Sequence, residues 1–178
     1  MKRPILAAAA AGLALLGAAA ACTGNPGGGA AAGATTSTQG SPLGQGVGQG
    51  LAGRYDAASG LFQQVVASDP NNKLAWYNLG YISQVRNDPT TAMADYDKAL
   101  AVDPNYTPAM YNEAILLEKS NVDAAIALYR KILTIDSNAS TTHIRLGMLL
   151  DQKGDRVDAR NEFNAAMGLD ANPRGAVP

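Results

Sequence analysis

Few side chains of this sequence stand in the patterns that catalysis or metal binding requires. His143 is the only histidine and Cys22 is the only cysteine, and they lie far apart in sequence. No serine or cysteine nucleophile has a plausible base close to it, and no glycine-rich loop precedes a helix as a phosphate cradle would. We interpret Asp95 and Asp97 as solvated surface. The sequence therefore predicts no catalytic residue, no metal ligand, no cofactor and no small-molecule substrate.

The single thiol stands at the end of an apolar run at the start of the chain. Residues 1–21 begin with Lys2 and Arg3, continue as an alanine- and leucine-rich stretch, and end in three alanines. A short basic start, an apolar stretch and small residues are typical of a secretory signal peptide. The stretch is mostly alanine, and this weak hydrophobicity favours a signal peptide over a membrane-spanning helix.

The residues around Cys22 resemble the lipobox of bacterial lipoproteins, with Ala19 in the position where that family usually has leucine. The resemblance implies that the Cys22 sulfur receives a diacylglycerol, that residues 1–21 are removed, and that the protein is anchored to a bacterial membrane with its domain facing the periplasm or the cell exterior. Ala19 and Ala21 also fit an ordinary signal-peptidase site, which would release an unanchored protein. Both alternatives are open at this point.

Residues 22–50 form, in our interpretation, the lipidated cysteine and a glycine-rich flexible tether. Residues 4–53 carry no charged side chain, and residues 23–50 contain ten glycines. Such a segment buries too little apolar surface to offset the entropy of ordering it. Leu43, Val47 and Leu51 are spaced as on a helix, but each of the four glycines between them costs about 1 kcal/mol relative to alanine in a helix. We therefore assign this part to the tether.

The charged remainder of the chain repeats itself with a period near 34 residues. Three columns of similar residues keep one register: Ala58, Ala92, Ala125 and Ala159; Phe62, Tyr96, Tyr129 and Phe163; Asp69, Asp103, Asp136 and Asp170. A period of this length indicates helix–turn–helix units that stack as a solenoid.

The repeated unit resembles the tetratricopeptide repeat through Trp76, Leu79 and Gly80, followed by Ala92, Tyr96, Ala99 and Pro104. The resemblance covers residues 51–172 and leaves 173–178 as a C-terminal tail. It implies an all-α fold, a short α-solenoid of about three and a half repeats. Seven helices are expected, near residues 51–68, 72–86, 89–102, 107–119, 121–134, 140–153 and 155–168.

In tetratricopeptide arrays the first helix of each unit lines a concave groove that binds protein segments. The resemblance implies these exposed groove residues here: Tyr77, Asn78, Tyr81, Tyr111, Asn112, Ile115, Ile144, Arg145 and Met148. Tyr77-Asn78 recurs as Tyr111-Asn112, and amide and phenol groups suit a peptide interface. The alternative is that the asparagines are solvated and the tyrosines belong partly to the core.

Two further positions follow from the same resemblance. Some members of the family clamp a terminal carboxylate, but only Asn112 and Arg145 match that clamp here, so we do not expect one; Arg145 could pair with a single acidic group. His143 falls in the repeat position of Trp76 and Met110, which predicts a packing role.

These patterns together predict a membrane-anchored envelope lipoprotein that binds proteins or peptides as a scaffold. With 14 basic and 15 acidic side chains the sequence has no basic excess, which argues against nucleic acid as a partner. A narrower alternative is a pilotin-like assembly factor of a pilus or secretion machine. An alternative of another class is a secreted, unanchored structural protein.

Overall fold

The computed structural model describes residues 40–168. The predicted export signal, Cys22, most of the predicted tether and the C-terminal tail lie outside the described residues. Within residues 40–168 the fold contains helices and no strand, which confirms the predicted all-α solenoid. The helices are α1 (Pro42–Leu51), α2 (Tyr55–Ser68), α3 (Lys73–Val85), α4 (Pro89–Val102), α5 (Thr107–Leu117), α6 (Val122–Ile135), α7 (Ser140–Gln152) and α8 (Arg156–Ala166).

The helices pack as four successive pairs, α1 with α2, α3 with α4, α5 with α6 and α7 with α8. Each pair also packs against the next, so the core runs along the stack. The repeated alanines of the second helices are buried, with Ala58, Ala92 and Ala125 at 0% exposure and Ala159 at 2%. Small residues at these positions let neighbouring helices approach closely, and the larger side chains fill the space around them.

The prediction of seven helices is wrong, because the described part of the chain holds eight. The additional helix, α1, lies in the range that the sequence analysis assigned to the tether. Ser41 caps it by accepting a hydrogen bond from the Gly44 N–H at 3.2 Å, and Pro42 occupies the first turn. The leading repeat is therefore a complete helix pair.

The glycines of α1 explain why helix propensity alone failed to predict this helix. Gly46 is buried, and a Cβ built on it would lie 2.7 Å from Cε1 of the Phe62 ring. Gly80 and Gly147 occupy the same repeat position, and a Cβ on either would lie 2.7 Å from the ring of Tyr96 or Phe163. Gly46 is thus a packing residue that admits an aromatic ring, and this tertiary contact offsets its low helix propensity.

The turns between the paired helices also repeat. Gly53, Asn87 and Gly154 occupy equivalent positions and have left-handed backbone angles, with φ of 72°, 60° and 87°. Asparagine tolerates this conformation better than most side chains, which accounts for the one non-glycine residue among the three. The first, second and fourth pairs therefore reverse direction in the same way.

Replacing the two glycines of α1 separately tests whether this helix packs as described. We expect Gly46→Ala to lower the free energy of unfolding by about 1–3 kcal/mol, because the new methyl group overlaps the buried Phe62 ring. Gly48→Ala is the matched control, since nothing lies within 4 Å of a Cβ at that position. It should raise stability by up to about 1 kcal/mol through helix propensity. Urea unfolding followed by circular dichroism measures both, and equal stabilisation by the two variants would contradict the packing of α1.

Candidate functional site

A cleft of about 380 Å³ crosses the first helices of three successive pairs, α3, α5 and α7. The turn between α6 and α7 closes one side of it. Its lining combines aromatic and apolar surface with short polar side chains: Tyr77, Tyr81, Gln84, Thr107, Pro108, Tyr111, Asn112, Ile115, Ile132, Asp136, Ala139, Thr141, Thr142 and Arg145. This cleft is where the repeat resemblance placed the binding groove, and we refer to it as the groove.

Six of the predicted groove residues line this cleft: Tyr77, Tyr81, Tyr111, Asn112, Ile115 and Arg145. Three others do not. Asn78 is buried within the α3 packing, whereas Ile144 and Met148 lie on α7 at 45% and 56% exposure and are not part of the cleft lining. The structure thus brings together the part of the predicted site that spans α3, α5 and the start of α7.

The expectation that Tyr77 and Asn78 are exposed is wrong, since each is only 5% exposed. The Tyr77 ring packs edge-on against Tyr106, with 5.5 Å between the ring centroids. The Asn78 amide donates to the Leu74 carbonyl oxygen at 2.7 Å, one turn earlier in α3. Both side chains therefore serve the interior of the stack.

A row of polar contacts joins each first helix to the next across the groove floor. The Asn112 amide donates to the Tyr77 hydroxyl oxygen at 3.3 Å. One repeat later, Arg145 on α7 reaches Glu118 at the end of α5, with 3.0 Å between Nη1 and Oε2. Asn112 and Arg145 hold the same repeat position, so the column that we expected to meet a ligand is used, in the structure, to register one helix pair against the next.

Arg145 forms an ion pair that the sequence analysis missed. Its Nη1 lies 3.0 Å from Oε2 and 3.2 Å from Oε1 of Glu118, at the end of α5. Glu118 Oε1 accepts a hydrogen bond from the Tyr129 hydroxyl at 2.7 Å. Burial of Tyr129, followed by this bond to Glu118, raises the pKa of the Tyr129 hydroxyl far above its usual range. The hydroxyl therefore remains a donor to Glu118 at physiological pH.

The preceding pair has a neutral version of the same contact. The Tyr96 hydroxyl donates to Gln84 Oε1 at 2.7 Å, and Gln84 holds the repeat position of Glu118. The first and last pairs have Phe62 and Phe163 in the aromatic column, which bring no hydroxyl. The signal in the sequence was the change from Phe to Tyr, because a buried hydroxyl needs an acceptor and a position in the same pair must supply one.

His143 is a bridge between three segments rather than an apolar packing residue. Its Nδ1 lies 2.7 Å from Glu162 Oε2 on α8, and its Nε2 lies 3.0 Å from the Ser137 carbonyl oxygen in the turn before α7. Both neighbours are acceptors, so the arrangement is fully satisfied only when both ring nitrogens carry protons. Burial opposes that charge, but the bonds to Glu162 and Ser137 outweigh it and raise the pKa of His143.

The interpretation of Asp95 as solvated surface is also wrong. Asp95 is 7% exposed and accepts a hydrogen bond from the Lys98 ammonium at 2.9 Å. The same ammonium lies 4.1 Å from the centroid of the Trp76 ring. Asp97, two residues further along α4, is exposed as expected. Asp95 therefore holds Lys98 against Trp76 and forms part of the packing between α3 and α4.

Two properties of residues 40–168 concern metal binding and membrane crossing. Nowhere in this range do three or more His, Cys, Asp or Glu side chains gather in an arrangement that could hold a metal ion. None of the helices in the same range is both long enough and apolar enough to cross a membrane.

Comparison with known proteins supports the architecture. Residues 51–107 and 84–140 match the tetratricopeptide repeat family. A curated relative, anaphase-promoting complex subunit 3 of Schizosaccharomyces pombe (strain 972 / ATCC 24843), is 27% identical over 119 residues, which cover 66% of this chain and 18% of the relative. This chain thus spans less than a fifth of that relative's length.

Two solved structures share the fold at low sequence identity. MamA (41-end) from Desulfovibrio magneticus RS-1 has a TM-score of 0.62 and 22% identity, with 70% of this chain and 71% of that chain covered. The first tetratricopeptide domain of Spaghetti (RPAP3), bound to the HSP90 peptide SRMEEVD, has a TM-score of 0.58 and 19% identity, with 62% of this chain and 88% of that chain covered.

The His143 bridge predicts a pH-dependent stability. Because the folded pKa of His143 is raised above 6.5, its contribution is fully present below about pH 6.5 and is lost as pH rises through the folded pKa. Glu162→Gln should reduce this dependence by removing the anionic partner, and His143→Asn should abolish it. Thermal unfolding across this range measures the effect, and His143 titration by NMR locates the folded pKa. A native protein whose stability changes with pH no more than that of His143→Asn would contradict the bridge.

Proposed function

Because this chain belongs to the tetratricopeptide repeat family, we propose that it is a binding scaffold whose groove takes up an extended segment of a protein or peptide. The observation that carries the proposal is the meeting of Tyr81, Tyr111 and Ile115 with short polar side chains in one cleft that spans three helix pairs. The function is recognition and holding of a partner, without chemistry on it.

The composition of the groove suits such a segment. Tyr81, Tyr111 and Ile115 are each half-buried, so they offer preformed apolar surface that loses little freedom on binding. Thr107, Thr141 and Gln84 add hydroxyl and amide groups that can pair with a peptide backbone. A solved neighbour of the same fold has a peptide bound, which is consistent with this use of the architecture.

We further propose that the scaffold is exported and anchored to a bacterial membrane through a lipid on Cys22, with its domain facing the periplasm or the cell exterior. The support comes from the sequence alone: the apolar run of residues 1–21 ends directly before the only cysteine. An exposed free thiol in an oxidising compartment is open to oxidation and unwanted pairing, and a thioether removes that liability. Two or more acyl chains hold a protein firmly on a membrane.

Labelling with an alkyne fatty acid tests the anchor. We expect the native protein to take up the label and to sediment with membranes, and Cys22→Ser to lose both properties. Cys22→Ser that retains the label or stays membrane-bound would contradict the anchor. An unlabelled native protein recovered in the medium would favour the secreted, unanchored alternative.

Substitution within the groove tests the binding face. We expect the double variant Tyr81→Ala, Ile115→Ala to lose at least about tenfold in partner recovery, since interface anchors contribute about 1–2 kcal/mol each. Crosslinking and pull-down from membranes measure the recovery, followed by binding of the purified partner.

The matched control is Val157→Ala on α8, which removes apolar surface from a side chain that is 72% exposed and lies outside the groove. This control should recover the same partners as the native protein. Identical partners for the groove variant and the control, with both variants folded by circular dichroism, would rule out the groove as the binding face.

A further inference from the structure

Arg145 of the groove lining and Glu118 beside it are charged residues at repeat positions where the second pair has uncharged amides. Asn78, Asn112 and Arg145 occupy one repeat position, so a guanidinium replaces an amide in the last pair. Gln84, Glu118 and Asp151 occupy another, so a carboxylate replaces the amide from the third pair onward. The two replacements meet, because Arg145 Nη1 lies 3.0 Å from Glu118 Oε2.

The carboxylate is not required for the packing that this position performs. Gln84 accepts the Tyr96 hydroxyl at 2.7 Å with a neutral amide oxygen, and Glu118 accepts the Tyr129 hydroxyl at the same distance. A glutamine at position 118 would therefore satisfy Tyr129 equally well. What glutamate adds is a negative charge beside Arg145, in a place where the two side chains are only 19% and 35% exposed. Such partial burial limits screening by water and salt.

The charge balance of the groove follows from this pair. Arg145 and Asp136 are the charged residues of the lining, and Glu118 neutralises Arg145. Asp136 accepts the Asn138 backbone N–H at 3.0 Å, and no lysine or arginine of residues 40–168 forms an ion pair with it. Protonated His143 is close enough to Asp136 to interact with its charge, but Glu162 neutralises His143, so the charge left over at the groove is negative. A ligand carboxylate would face Asp136, and at Arg145 it would meet a guanidinium whose charge Glu118 already neutralises.

We propose that Glu118 is a specificity-determining residue of the groove, which neutralises Arg145 and makes the groove select uncharged or cationic segments over acidic ones. This inference rests on the proposed function of the groove as a peptide-binding site. Like charges brought together at an interface oppose binding, so a negative groove rejects acidic partners even where the apolar contacts fit.

The experiment uses display selection on the full-length protein, because the natural partner is not identified. The probes are three pools of short peptides, randomised among uncharged residues and fixed at the central position as Glu, Gln or Lys. The proteins are the native chain and the groove variant Tyr81→Ala, Ile115→Ala, together with Glu118→Gln alone and Glu118→Gln combined with Arg145→Asn. The Glu118 and Arg145 substitutions place residues that the repeat already uses at equivalent positions, and circular dichroism with thermal unfolding shows whether each variant folds.

We expect the native protein to recover the Glu pool about tenfold less than the Gln pool, and the Lys pool at least as well as the Gln pool. Glu118→Gln frees the Arg145 guanidinium, so it should recover the Glu pool as well as the Gln pool or better. The variant that also carries Arg145→Asn should lose this gain, because no cation remains to receive the carboxylate. High salt should shrink all these differences.

Three results would overturn the inference. The native protein could recover the Glu and Gln pools equally. Glu118→Gln could lower stability and leave the recovery ratios unchanged, in which case Glu118 only ties the third pair to the fourth. If no pool binds the native protein more than it binds Tyr81→Ala, Ile115→Ala, the proposed function fails together with the inference. Retained groove-dependent binding without charge selectivity defeats the inference alone.

Discussion

In the first, second and fourth pairs the two helices meet where a glycine on the first helix faces an aromatic ring on the second. At Gly46, Gly80 and Gly147 even a methyl group would lie 2.7 Å from ring carbons. This contact fixes the distance between the helices and so determines where each side chain of the first helix points. The position of the groove depends on it, because the groove is built from the first helices of successive pairs.

A second set of contacts aligns each helix pair with the next and determines which side chains remain available to a ligand in the groove. Asn112 reaches back to Tyr77, and Arg145 reaches back to Glu118. Asn112 pairs with the buried Tyr77 hydroxyl and Arg145 pairs with the Glu118 carboxylate, so both side chains are largely committed to the stack. The surface left for a ligand is formed by the residues one turn further along, Tyr81 and Ile115, together with short polar groups at the helix starts.

The repeat period was enough to predict the fold class and the position of helices α2 to α8 within a few residues, because three columns of residue type agreed in one register. It failed at α1, because the glycines of this segment disfavour a helix locally. The contact of Gly46 with Phe62 is a tertiary contact, and only the alignment of Gly46 with Gly80 could have revealed it. It also failed for the exposure of Asn78, since the packing of other helices over this side chain is not visible in the sequence of α3.

The same comparison of equivalent positions shows what the repeats leave free to vary. The small residue, the aromatic ring and the alanine of each pair are constrained by packing, whereas a single position of the first helix holds tyrosine, isoleucine and methionine in the second, third and fourth pairs. Where a buried aromatic carries a hydroxyl, an acceptor is required, but Gln84 and Glu118 show that its charge is not fixed by packing. A charge at such a position is therefore available to shape what the groove binds, and Arg145 is the residue on which it acts.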